Sequence, residues 1–121
     1  MAKKLVITEK LPKRFKRKWL EALRGGEYKK GKANLLQYND KGDKEYCCLG
    51  VACAIVGIPD KKILLDGTIN FSRKSKYRAL IPKAILGLVA DNPVVNKLVD
   101  MNDSGKTRGF GRIAIWIEKN L

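Results

Sequence analysis

Apolar positions recur along the chain in two rhythms, one helical and one strand-like, with a fully apolar segment between them. Phe15, Trp19, Ala22 and Leu23 fall at helical spacing behind Pro12, and Gly25-Gly26 follows Arg24. This pattern predicts a helix from Pro12 to about Arg24. Its aromatic stripe turns inward, so Arg14, Arg17, Lys18, Glu21 and Arg24 project from the opposite side. From Ala33 to Tyr46, Leu35, Leu36 and Tyr38 lead into the turn-rich Asn39-Asp40-Lys41-Gly42-Asp43, with Tyr46 beyond it, and predict a short hairpin. Cys48 to Gly57 is small and apolar on all sides, which predicts a short helix at the centre of a core, closed by Gly57. Between Ile63 and Phe71, Asp66-Gly67 separates Ile63-Leu64-Leu65 from Thr68-Ile69-Asn70-Phe71 and predicts a second hairpin.

Toward the C-terminus the pattern is helical again. Pro82 and Pro93 each suit a first helical position, Asn92 suits an N-cap, and Val94, Leu98 and Met101 point inward from a helix running through Met101. A last helix carries Phe110, Ile113, Ile117 and Leu121 on one side, with Trp116 beside them. No internal repeat, low-complexity segment or linker interrupts the chain. Its 121 residues hold one domain, 1–121, whose first ten residues read as a mobile or extended basic N-terminus. The expected fold class is α+β: a single compact domain of mostly short helices around a small antiparallel β-sheet or hairpins.

Charge changes this picture most. Lys and Arg number 26 against 12 Asp and Glu, giving a formal charge of +14. Residues 1–32 contain twelve basic and three acidic residues and so carry nine of the fourteen excess charges. A second concentration follows at Arg73, Lys74, Lys76, Arg78 and Lys83. Self-repulsion on this scale favours an anionic partner, although a solvated basic face is the plainer account of each cluster. The chain has no histidine, which excludes Ser-His-Asp triads, His-ligated zinc and His proton relays. The longest apolar stretch, within Cys47 to Pro59, is far below the roughly 18 residues needed to cross a bilayer, so no membrane span is expected.

Cys47, Cys48 and Cys53 sit inside one short window. A zinc site needs a fourth ligand and a second pair, and both are missing. Adjacent cysteines pair only in a strained ring, and no signal peptide opens the sequence, so a reducing cytoplasm is the expected setting. Buried core packing is the favoured role of these thiols, and a reactive thiol the alternative. Ser104-Gly105-Lys106-Thr107 is similar to the tail of a P-loop, but Asp100 stands where the first glycine belongs. A turn is the better reading, with Asn102 or Asp103 bonding its own backbone and Thr107 capping the next helix. Arg73-Lys74-Ser75-Lys76-Tyr77-Arg78 combines cations with an aromatic ring, the components of a single-strand binder or of an exposed basic loop.

Three segments carry a family resemblance. Trp19-Leu20-Glu21-Ala22-Leu23-Arg24 with Glu27-Tyr28-Lys29-Lys30-Gly31 is similar to W-x-x-A-L-R-S-G-x-Y-x-Q-G, and Tyr46-Cys47-Cys48-Leu49-Gly50-Val51-Ala52-Cys53 to Y-C-C-L-G-V-L-C. Met101-Asn102-Asp103-Ser104-Gly105-Lys106, with Phe110, Ile113-Ala114 and Trp116-Ile117-Glu118, is similar to L-N-D-x-G-x-S-F-x-E-I-A-x-W-I-E. Together they resemble a family of small proteins of tailed phages and prophages. Arg108-Gly109 is inserted relative to that pattern, and Arg112 stands where it has an acidic residue. The resemblance assigns no catalytic or ligand residue. It implies an accessory gene expressed in the cytoplasm of an infected bacterial host, in host takeover or evasion of host defence.

The expected function is therefore non-enzymatic binding of an anionic, phosphate-bearing partner, either nucleic acid or a defence-signalling nucleotide. Docking on an acidic surface of a host or phage protein is the alternative. The candidate anion-binding residues are Lys13, Arg14, Arg17 and Lys18 on the first helix, and Arg73, Lys74, Lys76, Tyr77 and Arg78 on the basic loop. No metal and no cofactor is expected. An enzyme would have to use a thiol at Cys47 or Cys48, or a carboxylate such as Asp103 beside Asp100.

Overall fold

A computed structural model describes residues 10–31, 35–66, 80–85, 93–103 and 109–121. Helix α1 spans Lys13–Arg24, with Pro12 in the capping position; the Pro12 carbonyl accepts the Lys16 N–H at 2.9 Å. Trp19 and Leu23 are buried on its inner face, while Arg14, Arg17, Lys18, Glu21 and Arg24 are exposed, as the spacing predicts. Strands β1 (Leu36–Tyr38) and β2 (Lys44–Tyr46) pair antiparallel, with Leu36 opposite Tyr46 and Tyr38 opposite Lys44. The turn between them is fixed by Asn39, whose Oδ1 accepts from the N–H groups of Lys41 at 2.9 Å and Asp43 at 3.0 Å. The chain just after α1 runs parallel to β2, where Gly31 N–H donates to the Tyr46 carbonyl and Tyr46 N–H to the Lys29 carbonyl, each at 2.8 Å.

Helix α2 (Cys48–Ile55) is the centre of the core, with six of its eight residues buried. Close approach explains its glycine: a Cβ on Gly50 would lie 1.8 Å from the Leu35 carbonyl oxygen. Helix α1 packs on α2, and helices α3 (Asp60–Asp66), α4 (Pro93–Asp103) and α5 (Gly111–Asn120) complete the shell together with a 3₁₀ turn at Lys83–Ile85. Helix α5 packs on α1 and α4, burying Ile113, Ala114 and Ile117. Five helices and a two-stranded antiparallel sheet among the described residues make this an α+β domain.

Three local expectations are corrected. The second hairpin does not form at its start: Ile63 to Asp66 belong to α3, because the Pro59 carbonyl takes the Lys62 and Ile63 N–H groups and opens a helix there. The rest of that hairpin, 67–71, lies outside the described residues. Asn102 and Asp103 are not turn residues but the last turn of α4, and Asn102 is buried instead of bonding its own backbone. Helix α5 starts at Gly111, so its capping position is held by Phe110 and not by Thr107, which lies outside the described residues. Residues 1–9 lie outside the described residues; Lys10 is exposed, and its ammonium donates to the Asn120 carbonyl at 2.8 Å.

Candidate functional site

The motif residues of the sequence meet in one buried junction. Asn102 Oδ1 accepts the Cys48 N–H at 3.1 Å, and its Nδ2 donates to the Gly31 carbonyl at 2.9 Å and to Asp103 Oδ1 at 3.2 Å. Trp19 Nε1 donates to the Cys48 carbonyl at 2.9 Å. One amide side chain thus satisfies an N–H at the start of α2 and a carbonyl of the loop after α1, tying three segments that are distant in sequence. Cys47 Sγ accepts the Gly50 N–H at 3.3 Å, while the Cys48 thiol donates to the Leu98 carbonyl at 3.8 Å. Burial pushes the Cys47 thiol up to about 11 and the Cys48 thiol well above its ordinary value. All three cysteines are buried and outside any disulfide, and at neutral pH the Cys47 and Cys48 thiols are protonated and shielded. This junction is architecture.

The other distinctive region is the outer face of α1. Lys13, Arg14, Arg17 and Lys18 are all exposed, and among the described residues none of their side chains makes a hydrogen bond or ion pair. Neighbouring cations behave differently. Lys10 and Lys16 donate to the Asn120 and Glu118 carbonyls, at 2.8 Å and 3.0 Å, and Arg24 pairs with the Glu118 carboxylate. These three neutralise the negative end of the α5 dipole. Arg24 also holds the Glu118 carboxyl below the usual carboxylate range, chiefly through the hydrogen bond it donates. The same region therefore holds one set of cations bound into the fold and another set facing water.

The structure divides the predicted helix residues between two clefts. Lys13, Arg17, Leu20 and Arg24 advance at i, i+4, i+7 and i+11, a single stripe that forms the α1 wall of a groove of about 620 Å³ running to Glu118 on α5. Lys18 borders a second cleft, of about 510 Å³, toward the end of α2, in company with Glu21, Glu27 and Tyr28. Arg14 lines neither cleft. The second cleft opposes one cation with two carboxylates, so the first is the better anion site. Its helix start adds to this: Pro12 makes no side-chain hydrogen bond to the first turn, no acidic residue lies in that turn, and among the described residues no side chain caps the first N–H groups of α1.

Of the residues lining this groove, Lys13 and Arg17 are among the candidates the sequence offers, whereas Lys16, Leu20, Glu21, Arg24, Gly25 and Glu118 are not. Leu20 carried a signal, as a large apolar residue on the edge of the basic stripe. Glu118 carried none, since its place depends on how α5 packs against α1. The basic-loop candidates Arg73, Lys74, Lys76, Tyr77 and Arg78 lie outside the described residues. Among the described residues, no helix is long and apolar enough to cross a membrane, and no three His, Cys, Asp or Glu side chains are placed to hold a metal ion.

A domain of unknown function, DUF8296, is the family whose model matches the chain, over residues 11–121. No curated protein and no solved structure matches it.

Proposed function

The chain belongs to the DUF8296 family, and from that premise we propose that it is a non-enzymatic phage accessory protein that binds an anionic, phosphate-bearing ligand, nucleic acid or a defence-signalling nucleotide. One observation carries the reading. Along the α1 groove, Lys13 and Arg17 face water with no side-chain partner among the described residues, at an uncapped helix start, while Lys10, Lys16 and Arg24 are engaged by the end of α5. Cations gathered at the positive end of a helix oppose its dipole, an arrangement that costs stability and is relieved by an anion. The charge of +14 and the resemblance to phage proteins support the rest: action in the cytoplasm of an infected bacterium, in host takeover or evasion of host defence. The sealed thiols of Cys47 and Cys48 count against a cysteine nucleophile.

A second reading, docking on an acidic surface of a host or phage protein, is favoured by the half-buried Leu20 in the groove, since protein interfaces combine an apolar centre with a charged rim. A titration against single-stranded and duplex DNA, RNA, and cyclic and linear nucleotides at two salt concentrations separates the two. Salt-sensitive binding to any of these supports the first reading. Absence of binding at low salt, with a stoichiometric protein recovered from nuclease-treated lysate, replaces it with the second.

A further inference from the structure

Resting on the reading of α1 as a phosphate site, we infer that the groove between α1 and α5 takes a single nucleoside phosphate, phosphate toward Lys13 and Arg17 and base over Leu20 toward Gly25. Three features of the groove separate this occupant from a bare phosphate and from a polymer. Its volume of about 620 Å³ lies within the range of about 300–1,000 Å³ that small-ligand sites occupy, far more than one phosphate fills. From Lys13 to Arg24 the helix rises roughly 16 Å, long enough for one nucleotide laid end to end along it.

The second feature is the floor. Leu20 is half-buried at the middle of the stripe, and the methylene stems of Lys16 and Arg17 flank it, so the centre of the groove is apolar between charged ends. A planar base buries surface there; a phosphate gains nothing.

The third feature is polarity along the axis. At the helix start stand Lys13 and Arg17, where Pro12 supplies no side-chain cap, while the Lys16 ammonium is drawn to the Glu118 carbonyl. At the other end stand Glu21 and the Arg24–Glu118 pair, with Gly25 next to them. Positive potential is concentrated at one end, whereas carboxylate oxygens at the other accept hydrogen bonds from amino or hydroxyl groups. A nucleic-acid strand continuing along the groove would bring its next phosphate onto Glu21 and Glu118. A nucleoside phosphate presents an anion at one end and donors at the other.

The test is an amide-resolved titration of the isotope-labelled full chain with the four ribonucleoside 5′-monophosphates, their nucleosides, inorganic phosphate and a single-stranded oligonucleotide. At least one monophosphate is expected to bind at least about tenfold more tightly than inorganic phosphate and than its own nucleoside, shifting the Arg14 and Phe15 amides at one end and Gly25 at the other. Lys13→Glu with Arg17→Glu is expected to lose tenfold or more for the monophosphate. Leu20→Ala is expected to weaken the monophosphate while sparing inorganic phosphate, with the amide spectrum reporting that the fold is intact. Equal affinity for phosphate and monophosphate, with shifts at the helix start alone, overturns the nucleoside assignment and leaves the phosphate site standing. Binding of the oligonucleotide without any monophosphate overturns it in favour of a polymer. If no probe binds, the inference falls, and the reading beneath it falls with it only when duplex DNA, RNA and cyclic nucleotides also fail to bind.

Discussion

Asn102 is the residue on which most of the architecture converges. It is 1% exposed, and its two hydrogen bonds to Cys48 N–H and the Gly31 carbonyl are made inside the core. Removing the amide strands a buried donor and a buried acceptor, so Asn102→Ala is expected to lower the unfolding free energy by about 2–4 kcal/mol, read from the denaturant midpoint. A loss within about 0.5 kcal/mol would mean that water or rearrangement satisfies both groups. Cys47 makes a pH-dependent prediction. Its thiol ionises near 9 when unfolded and near 11 when folded, so the folded state keeps a proton that the unfolded state gives up between those values. Stability is therefore unaffected by this thiol below about pH 9 and falls as pH rises toward 11. The slope of stability against pH over that window is expected to be shallower in Cys47→Ala than in the wild type; equal slopes would show that the thiol does not titrate with folding. Asn102 was partly legible in the sequence. It continues the spacing of Val94 and Leu98 at i+4 and i+8, which marks a core position, and a polar residue at a core position requires partners. Reading it as a turn residue followed the local preference of Asn instead.

Most elements follow from their own residues, because the elements that form are those whose local preference and burial agree. Helix α1 is bounded by Pro12 and Gly25, the β1–β2 turn is held by Asn39, and α2 is apolar all round because it is surrounded. Helix α3 is the exception. Asp66-Gly67 is a strong hairpin signal, but Pro59-Asp60 supplies a helix start and an acidic first turn, and Asp60 is further held by Lys44 and by the Tyr46 hydroxyl, which donates at 3.3 Å. The second hold is tertiary, out of reach of a local pattern. The α1 groove was half legible for the same reason: the stripe is local, while Glu118 arrives from the other end of the chain. Stability and anion binding trade off along α1. Lys13 opposes the α1 dipole and has no side-chain partner among the described residues, so Lys13→Glu is expected to leave the melting temperature unchanged or raise it, by up to about 1 kcal/mol of stability, while weakening anion binding. A fall in melting temperature would place Lys13 in the structural set with Lys10, Lys16 and Arg24.

Over the whole molecule, a charge of +14 on 121 residues guarantees long-range attraction to any polyanion, so binding alone does not distinguish an organised site from a diffuse field. The distinction lies in where charge is removed. Reversing Lys13 and Arg17 changes the net charge by four, as does reversing two other exposed cations, for example Lys41 and Lys61, which belong to the turn after β1 and to α3 and line neither α1 cleft. If total charge governs, the two double variants behave alike. The most direct measurement is therefore the salt-resolved affinity of three full-length proteins, wild type, Lys13→Glu/Arg17→Glu and Lys41→Glu/Lys61→Glu, for single-stranded DNA and for the ribonucleoside monophosphates. The α1 variant is expected to lose at least about tenfold at low salt, with a salt slope on DNA shallower by about 0.7 for each phosphate contact removed, while the distal variant stays close to wild type. Equal losses in the two variants, or an α1 variant that binds as the wild type does at both salt concentrations, would contradict an anion site on this helix.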